Sequence, residues 1–165
     1  MISLLVALSL TMQGPTAVPA PWDSVGKILK TSATSTGGYY RYGWPRRDIT
    51  LTIVDISVAP ALALGAWAGF AGDPTAAMVM GDLVLLPAEL KPVLAEVAAQ
   101  HIDVTAIHNH VVGVPQVTYV HFHAEGNAID VASRLDRVLA RTSTPRPPTA
   151  SAPHPVTIDT ATVFG

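Results

Sequence analysis

Hydrophobic and polar positions alternate most regularly between Val104 and Ala124, VTAIHNHVVGVPQVTYVHFHA. Val104, Ala106, His108 and His110 share one parity, and Val117, Tyr119, His121 and His123 share another. Period-two patterning in a stretch rich in Val, Ile, Thr and Tyr predicts strand. Val112-Gly113-Val114-Pro115 supplies breakers for a short connection. The stretch is therefore expected to be a β-hairpin with a His-x-His pair on each strand.

The remaining pattern predicts a short helix from Asp23 or Ser24 through Lys30, with Val25, Ile28 and Leu29 as its apolar stripe. Thr31–Gly38 reads as a loop, and Gly38–Trp44 and Ile49–Val58 as two strands joined at Pro45-Arg46-Arg47-Asp48. The small residues after Pro60 predict a third strand through Phe70. Ala77–Leu86 predicts a fourth, so apolar that it belongs in the middle of the sheet. Pro87–Gln100 is the clearest helix: proline at its start, Glu89 in its first turn, and Leu90, Val93, Leu94 and Val97 on one side. A second helix is expected from Asn127 to Arg141, with Arg134, Asp136, Arg137 and Arg141 on a solvated face. These elements specify an α+β fold, an antiparallel-rich sheet of about six strands with two main helices packed on it and the His-rich β-hairpin near the C-terminal end.

Composition narrows the classes. In 165 residues, 49% are hydrophobic and 13% charged, which suffices for the core of one domain. The net charge is −2, so no nucleic-acid partner is indicated. The absence of cysteine excludes disulfides, thiol catalysis and cysteine-ligated zinc. Ile2–Leu10 is apolar enough for the core of a signal peptide and too short to span a bilayer. Residues 1–20 are accordingly expected to be a signal peptide-like leader, 21–141 the domain, and 142–165 a Pro-rich linker. Export, whether secreted or to the periplasm or cell envelope, is the expected localisation, and no stable transmembrane segment is expected.

The candidate chemistry lies in the histidines. Residues i and i+2 share a strand face, and opposed residues of an antiparallel pair stand roughly 4.5–5.5 Å apart at Cβ. His108 then lies near His121 or His123, according to register. Neutral imidazoles gathered on one face suit Zn or Cu. They equally suit a proton relay, or are ordinary strand histidines serving structure. Asp82 interrupts an apolar run and needs a partner: a metal-bound histidine, the metal itself, an arginine or backbone donors. The candidate metal ligands are His108, His110, His121, His123 and Asp82, with Glu125 as a further ligand or base. His154 sits in the Pro-rich segment, outside this set. Arg46, Arg47 and Asp48 fit either an anion site or a solvated turn with a local ion pair. No cupin spacing, phosphate loop, Rossmann fingerprint or serine nucleophile elbow is present.

The strings PRRDITLTI, ALALGAWAGF, AMVMGDLVLLPAEL and VTAIHNHVVGVPQVTYVHFHAEG resemble the LppY/LpqO family of uncharacterised exported bacterial proteins. The resemblance runs from about Trp22 to Arg141, and its most specific part comprises Ala106–His110, Pro115–Val117 and His121. It implies export, and it implies that the closing IDTATVFG is the start of a second copy of the domain. It supplies no biochemical activity. Two functions follow as expectations: an exported domain binding Zn or Cu, with metal-dependent hydrolytic chemistry open to it, or a non-catalytic module binding a cell-envelope component. The second would use Tyr39, Tyr40, Tyr42 and Trp44 as its surface, with the histidines structural.

Overall fold

A computed structural model describes residues 18–146. Most of the expected leader, His154 and the closing segment read as a second copy lie outside the described residues.

The chain opens with α1 (Ala20–Leu29), which buries Trp22, Val25 and Leu29 and ends where Lys30 turns left-handed at φ 57°. Next come β1 (Thr34–Thr36) and β2 (Tyr39–Pro45), then β3 (Leu51–Ile53), β4 (Ile56–Val58) and the single helical turn α2 (Pro60–Ala63). β5 (Gly65–Asp73) and β6 (Ala76–Leu85) lead into α3 (Pro87–Ala99). β7 (Asp103–His108), β8 (Thr118–Gly126) and α4 (Ala128–Leu139) complete the order. Six strands form one antiparallel sheet in the order β1-β2-β5-β6-β8-β7, while β3 and β4 pair separately. The fold is α+β, as the patterning predicts.

α1, α3 and α4 cover one face of the large sheet. Trp22, Val25, Val93, Val97, Val131 and Leu135 share a core there with Tyr42, Phe70, Val79, Leu83 and Phe122. By register, the opposite face carries Tyr39, Arg41, Trp67, Met78, Met80, Asp82, Tyr119, His121 and His123. In its middle, Met78 and Met80 are 41% and 50% exposed. β6 is central as expected; Leu83, Val84 and Leu85 are buried on both of its faces, while its first half leaves Met78 and Met80 open. Among the described residues, no helix is long and apolar enough to cross a membrane.

Several expectations need correction. The loop expected at Thr31–Gly38 contains β1, which pairs with β2 across Gly37 and Gly38, both at positive φ. A two-residue turn of this kind matches strand twist, and glycine reaches it without steric cost. Ile49–Val58 is not one strand, because Val54 and Asp55 (φ 46° and 66°) fold it into the β3–β4 hairpin. The stretch after Pro60 forms a helical turn before β5 begins at Gly65.

The turn at 45–48 is exposed at Arg47 and Asp48 and holds the expected local ion pair, Arg46 with Asp48, but Arg46 itself is not solvated. It is fully buried, with Glu89 at 2.8 and 3.1 Å from its two terminal nitrogens and Asp48 at 2.9 and 3.0 Å from Nη2 and Nε. Its Nη1 also donates to the Val84 carbonyl. The fork of donors therefore ties the end of β2, the end of β6 and the start of α3 together. Glu89 accepts in addition from the backbone amides of Leu86 (2.8 Å) and Ser143 (2.6 Å). Burial works against ionising Glu89, but the Arg46 and backbone donors outweigh it and hold the carboxyl below its ordinary range.

The cationic face of α4 is not simply solvated either. Arg134 donates to the carbonyls of Gln100, His101 and Glu125, and Arg141 pairs with Glu96 at 2.8 Å. Beyond α4, Thr144 is buried and Arg146 pairs with Asp136.

Candidate functional site

β7 and β8 form the expected hairpin, with two departures that decide which side chains meet. Asp103 and Val104 pair with His123 and Phe122, yet Ala106 pairs with His121. Thr105 is therefore an extra residue, a β-bulge. In regular pairing His108 would share a face with Val104 and point to the helix side. The bulge turns Ala106 and His108 onto the open face instead, so Val104 does not share their side. The connection is also longer than four residues: it runs from 109 to 117, and it is anchored to β3 by paired bonds between Thr52 and Val114 (2.9 and 3.0 Å). Gly113 permits that approach, because a Cβ there would lie 2.8 Å from the Thr52 carbonyl oxygen. His110 accordingly sits in the loop, beyond the strand that was expected to hold it.

Asp82 and His121 are directly opposed on β6 and β8. The Asp82 carboxylate takes the Nδ1 proton of His121 on one oxygen and Trp67 Nε1–H on the other, at 2.9 Å. Of the partners open to Asp82 from sequence, arginine and backbone donors are not the ones used. Holding the proton on Nδ1 leaves the His121 Nε2 lone pair facing outward. There it meets His108 Nε2 at 2.6 Å, the two rings nearly parallel with centroids 4.8 Å apart. In the neutral state His108 donates and His121 accepts.

Tyr119 lies beneath this pair, its ring centroid 5.8 Å from that of His108 and 4.7 Å from that of His110. Burial, reinforced by the Asp82 charge, pushes its phenol up to about 12. Among the described residues its hydroxyl is the one buried side-chain polar atom without a partner. Such a group costs on the order of 1–3 kcal/mol unless something polar meets it.

The structure thus brings Asp82, His121 and His108 together. His110 stands on the same side, its ring 6.0 Å from that of His108. His123 is separate: it lies next along β8, with Nδ1 3.9 Å from Asp103 and Nε2 3.6 Å from Glu125. Among the described residues, no three His, Asp or Glu side chains converge as they stand on one metal-ready point. Two zinc ligands at about 2.0–2.1 Å lie roughly 3.3–3.4 Å apart at tetrahedral angles. The His108–His121 contact would have to widen by less than about 1 Å to admit an ion. His108 is exposed on an edge strand beside a loop, where such a shift meets little packing.

Sequence reasoning missed Trp67 as the second partner of Asp82. The signal lay only in register, since Trp67 and Asp82 are opposed on β5 and β6. The four aromatic residues expected to form the surface of a binding module do not share a face, and of them Tyr39 alone stands on the open side. Tyr42 and Trp44 are buried and donate to the carbonyls of Trp22 (2.7 Å) and Leu29 (3.0 Å), while Tyr40 stacks on Trp22.

A family model described as Domain of Unknown Function (DUF1259) matches residues 23–141. No curated protein and no solved structure matches the chain.

Proposed function

We propose, for a chain that belongs to this family of unknown function (DUF1259), that the open sheet face binds a transition-metal ion, zinc or copper. His108 and His121 supply the first two nitrogens, and His110 is the nearest further donor. The observation that carries the reading is the chain Trp67–Asp82–His121. A carboxylate that is itself held in place fixes the tautomer of a histidine whose free nitrogen points at a second histidine. That is the arrangement by which proteins orient and strengthen imidazole ligands. Two or three imidazoles on an exposed face leave coordination positions for water, so hydrolytic chemistry is open to the site without being required by it. Export to the cell envelope and kinship with the LppY/LpqO family belong to the same proposal and rest on the apolar leader and the sequence strings.

Elemental analysis of protein purified without a polyhistidine tag tests the reading. Wild type is expected to retain zinc or copper through gel filtration, and His108→Ala or His121→Ala to lose most of it. Imidazole must be deprotonated to ligate, so occupancy should fall in acid. Equal metal content in wild type and both variants would refute the site.

A further inference from the structure

We propose that Met78, Met80 and His123 form a site for a soft monovalent ion, Cu(I), in the middle of the open face. The inference does not rest on the His108–His121 site, with which it shares no ligand.

The strand period places the two thioethers. Ala77 and Val79 are in the core at 1% and 0% exposure, so Met78 and Met80 stand together on the opposite side. They are large apolar side chains left open to solvent on a central strand rather than at the sheet edge. On β8, His123 is directly opposed to Met80. Opposed residues on one face have Cβ atoms roughly 4.5–5.5 Å apart, within reach of a long, flexible methionine. The His123 nitrogens stand 3.9 and 3.6 Å from Asp103 and Glu125, so hydrogen bonding to those carboxylates commits neither of them.

β5 completes the setting. Gly69 and Ala71 oppose Met80 and Met78, so no large side chain from β5 stands directly opposite them. The Tyr39 and Trp67 rings lean over Gly69, 3.1 and 3.2 Å from where a Cβ would sit, and wall the side next to Met80. Two thioethers and one imidazole beside aromatic rings is a soft, weakly hydrated donor set. Thioether sulfur selects Cu(I) over Zn, Mg or Ca, and it carries no proton to displace.

The test is anaerobic titration with Cu(I), kept reduced by ascorbate, against a colorimetric Cu(I) chelator. Wild type is expected to compete for Cu(I), one ion of it bound with sulfur scatterers in the copper-edge absorption spectrum. Met78→Leu/Met80→Leu conserves volume and should melt near wild type. It should weaken Cu(I) binding by more than the roughly hundredfold that even an outer-shell change can cost. His108→Ala/His121→Ala should leave Cu(I) binding intact. The inference is overturned if the double leucine variant binds Cu(I) like wild type, if wild type does not compete, or if the His108/His121 variant abolishes binding.

Discussion

Asp82 decides the chemistry of the site at the scale of one residue. A carboxylate in an apolar strand is costly unless paired, and here each oxygen has its own donor, Trp67 Nε1–H and His121 Nδ1–H. Asp82→Asn keeps the shape but replaces an anion that must accept with an amide that can donate. His121 is then free to carry its proton on Nε2, the atom that would ligate. The expected result is a drop of about 10–100-fold in metal affinity, read by chelator competition, with the fold unchanged by circular dichroism. Glu89 and Arg46 form the other pair on which much depends. Glu89→Gln leaves a buried guanidinium with Asp48 as its remaining carboxylate, and should cost toward the low end of the roughly 3–5 kcal/mol expected for breaking a buried pair. The folded-state pKa of Glu89 is depressed, so its contribution is present above the ordinary carboxylate pKa, about 4.3, and fades as pH falls through the lower folded-state value. Urea unfolding at pH 7 and pH 3 should therefore show the wild type converging on the variant in acid. A gap that stays constant with pH would contradict the pairing.

At the scale of the element, the β7–β8 hairpin was legible and its facing was not. Alternation in residues 104–110 and 117–123 correctly indicates strands, because side chains of a half-buried sheet must sort by face. The same alternation places Val104 with His108, and the structure separates them through the extra residue at Thr105. Nothing local marks that bulge, since threonine is as good in a regular strand as in a bulged one. Deleting Thr105 removes the extra residue while leaving Val104 against Phe122 and Ala106 against His121, so His108 keeps its place on the open face beside His121. The expected outcome is metal content close to that of wild type, with cooperative melting retained. A deletion variant that loses metal as His108→Ala does would show that the pairing beyond the bulge depends on Thr105. The separate β3–β4 hairpin was missed as a pair because Val54-Asp55 is a poor advertisement for a turn at positive φ. Its position is held instead by the β7–β8 loop bonded to Thr52.

For the whole molecule, helices on one face and an open opposite face account for both proposed sites. Trp22, Tyr42, Trp44 and Phe70 belong to the covered side, which removes Tyr42 and Trp44 from any binding surface. Met78, Met80, Asp82, His121 and His123 belong to the open one. The sequence by itself determined the fold class, the two main helices, a sheet with β6 at its centre and the hairpin carrying the histidines. Those features follow from periodicity and chain punctuation, which act over a few residues. Tertiary structure alone decided that His108 meets His121 rather than His123, that Asp82 bonds His121 and Trp67, and that Arg46 is buried against Glu89. Each depends on strand register or on packing between residues distant in sequence, here 13, 15, 39 and 43 positions apart. A one-residue slip leaves the hydrophobic pattern of each segment intact while exchanging its partners and faces, so local pattern cannot specify it.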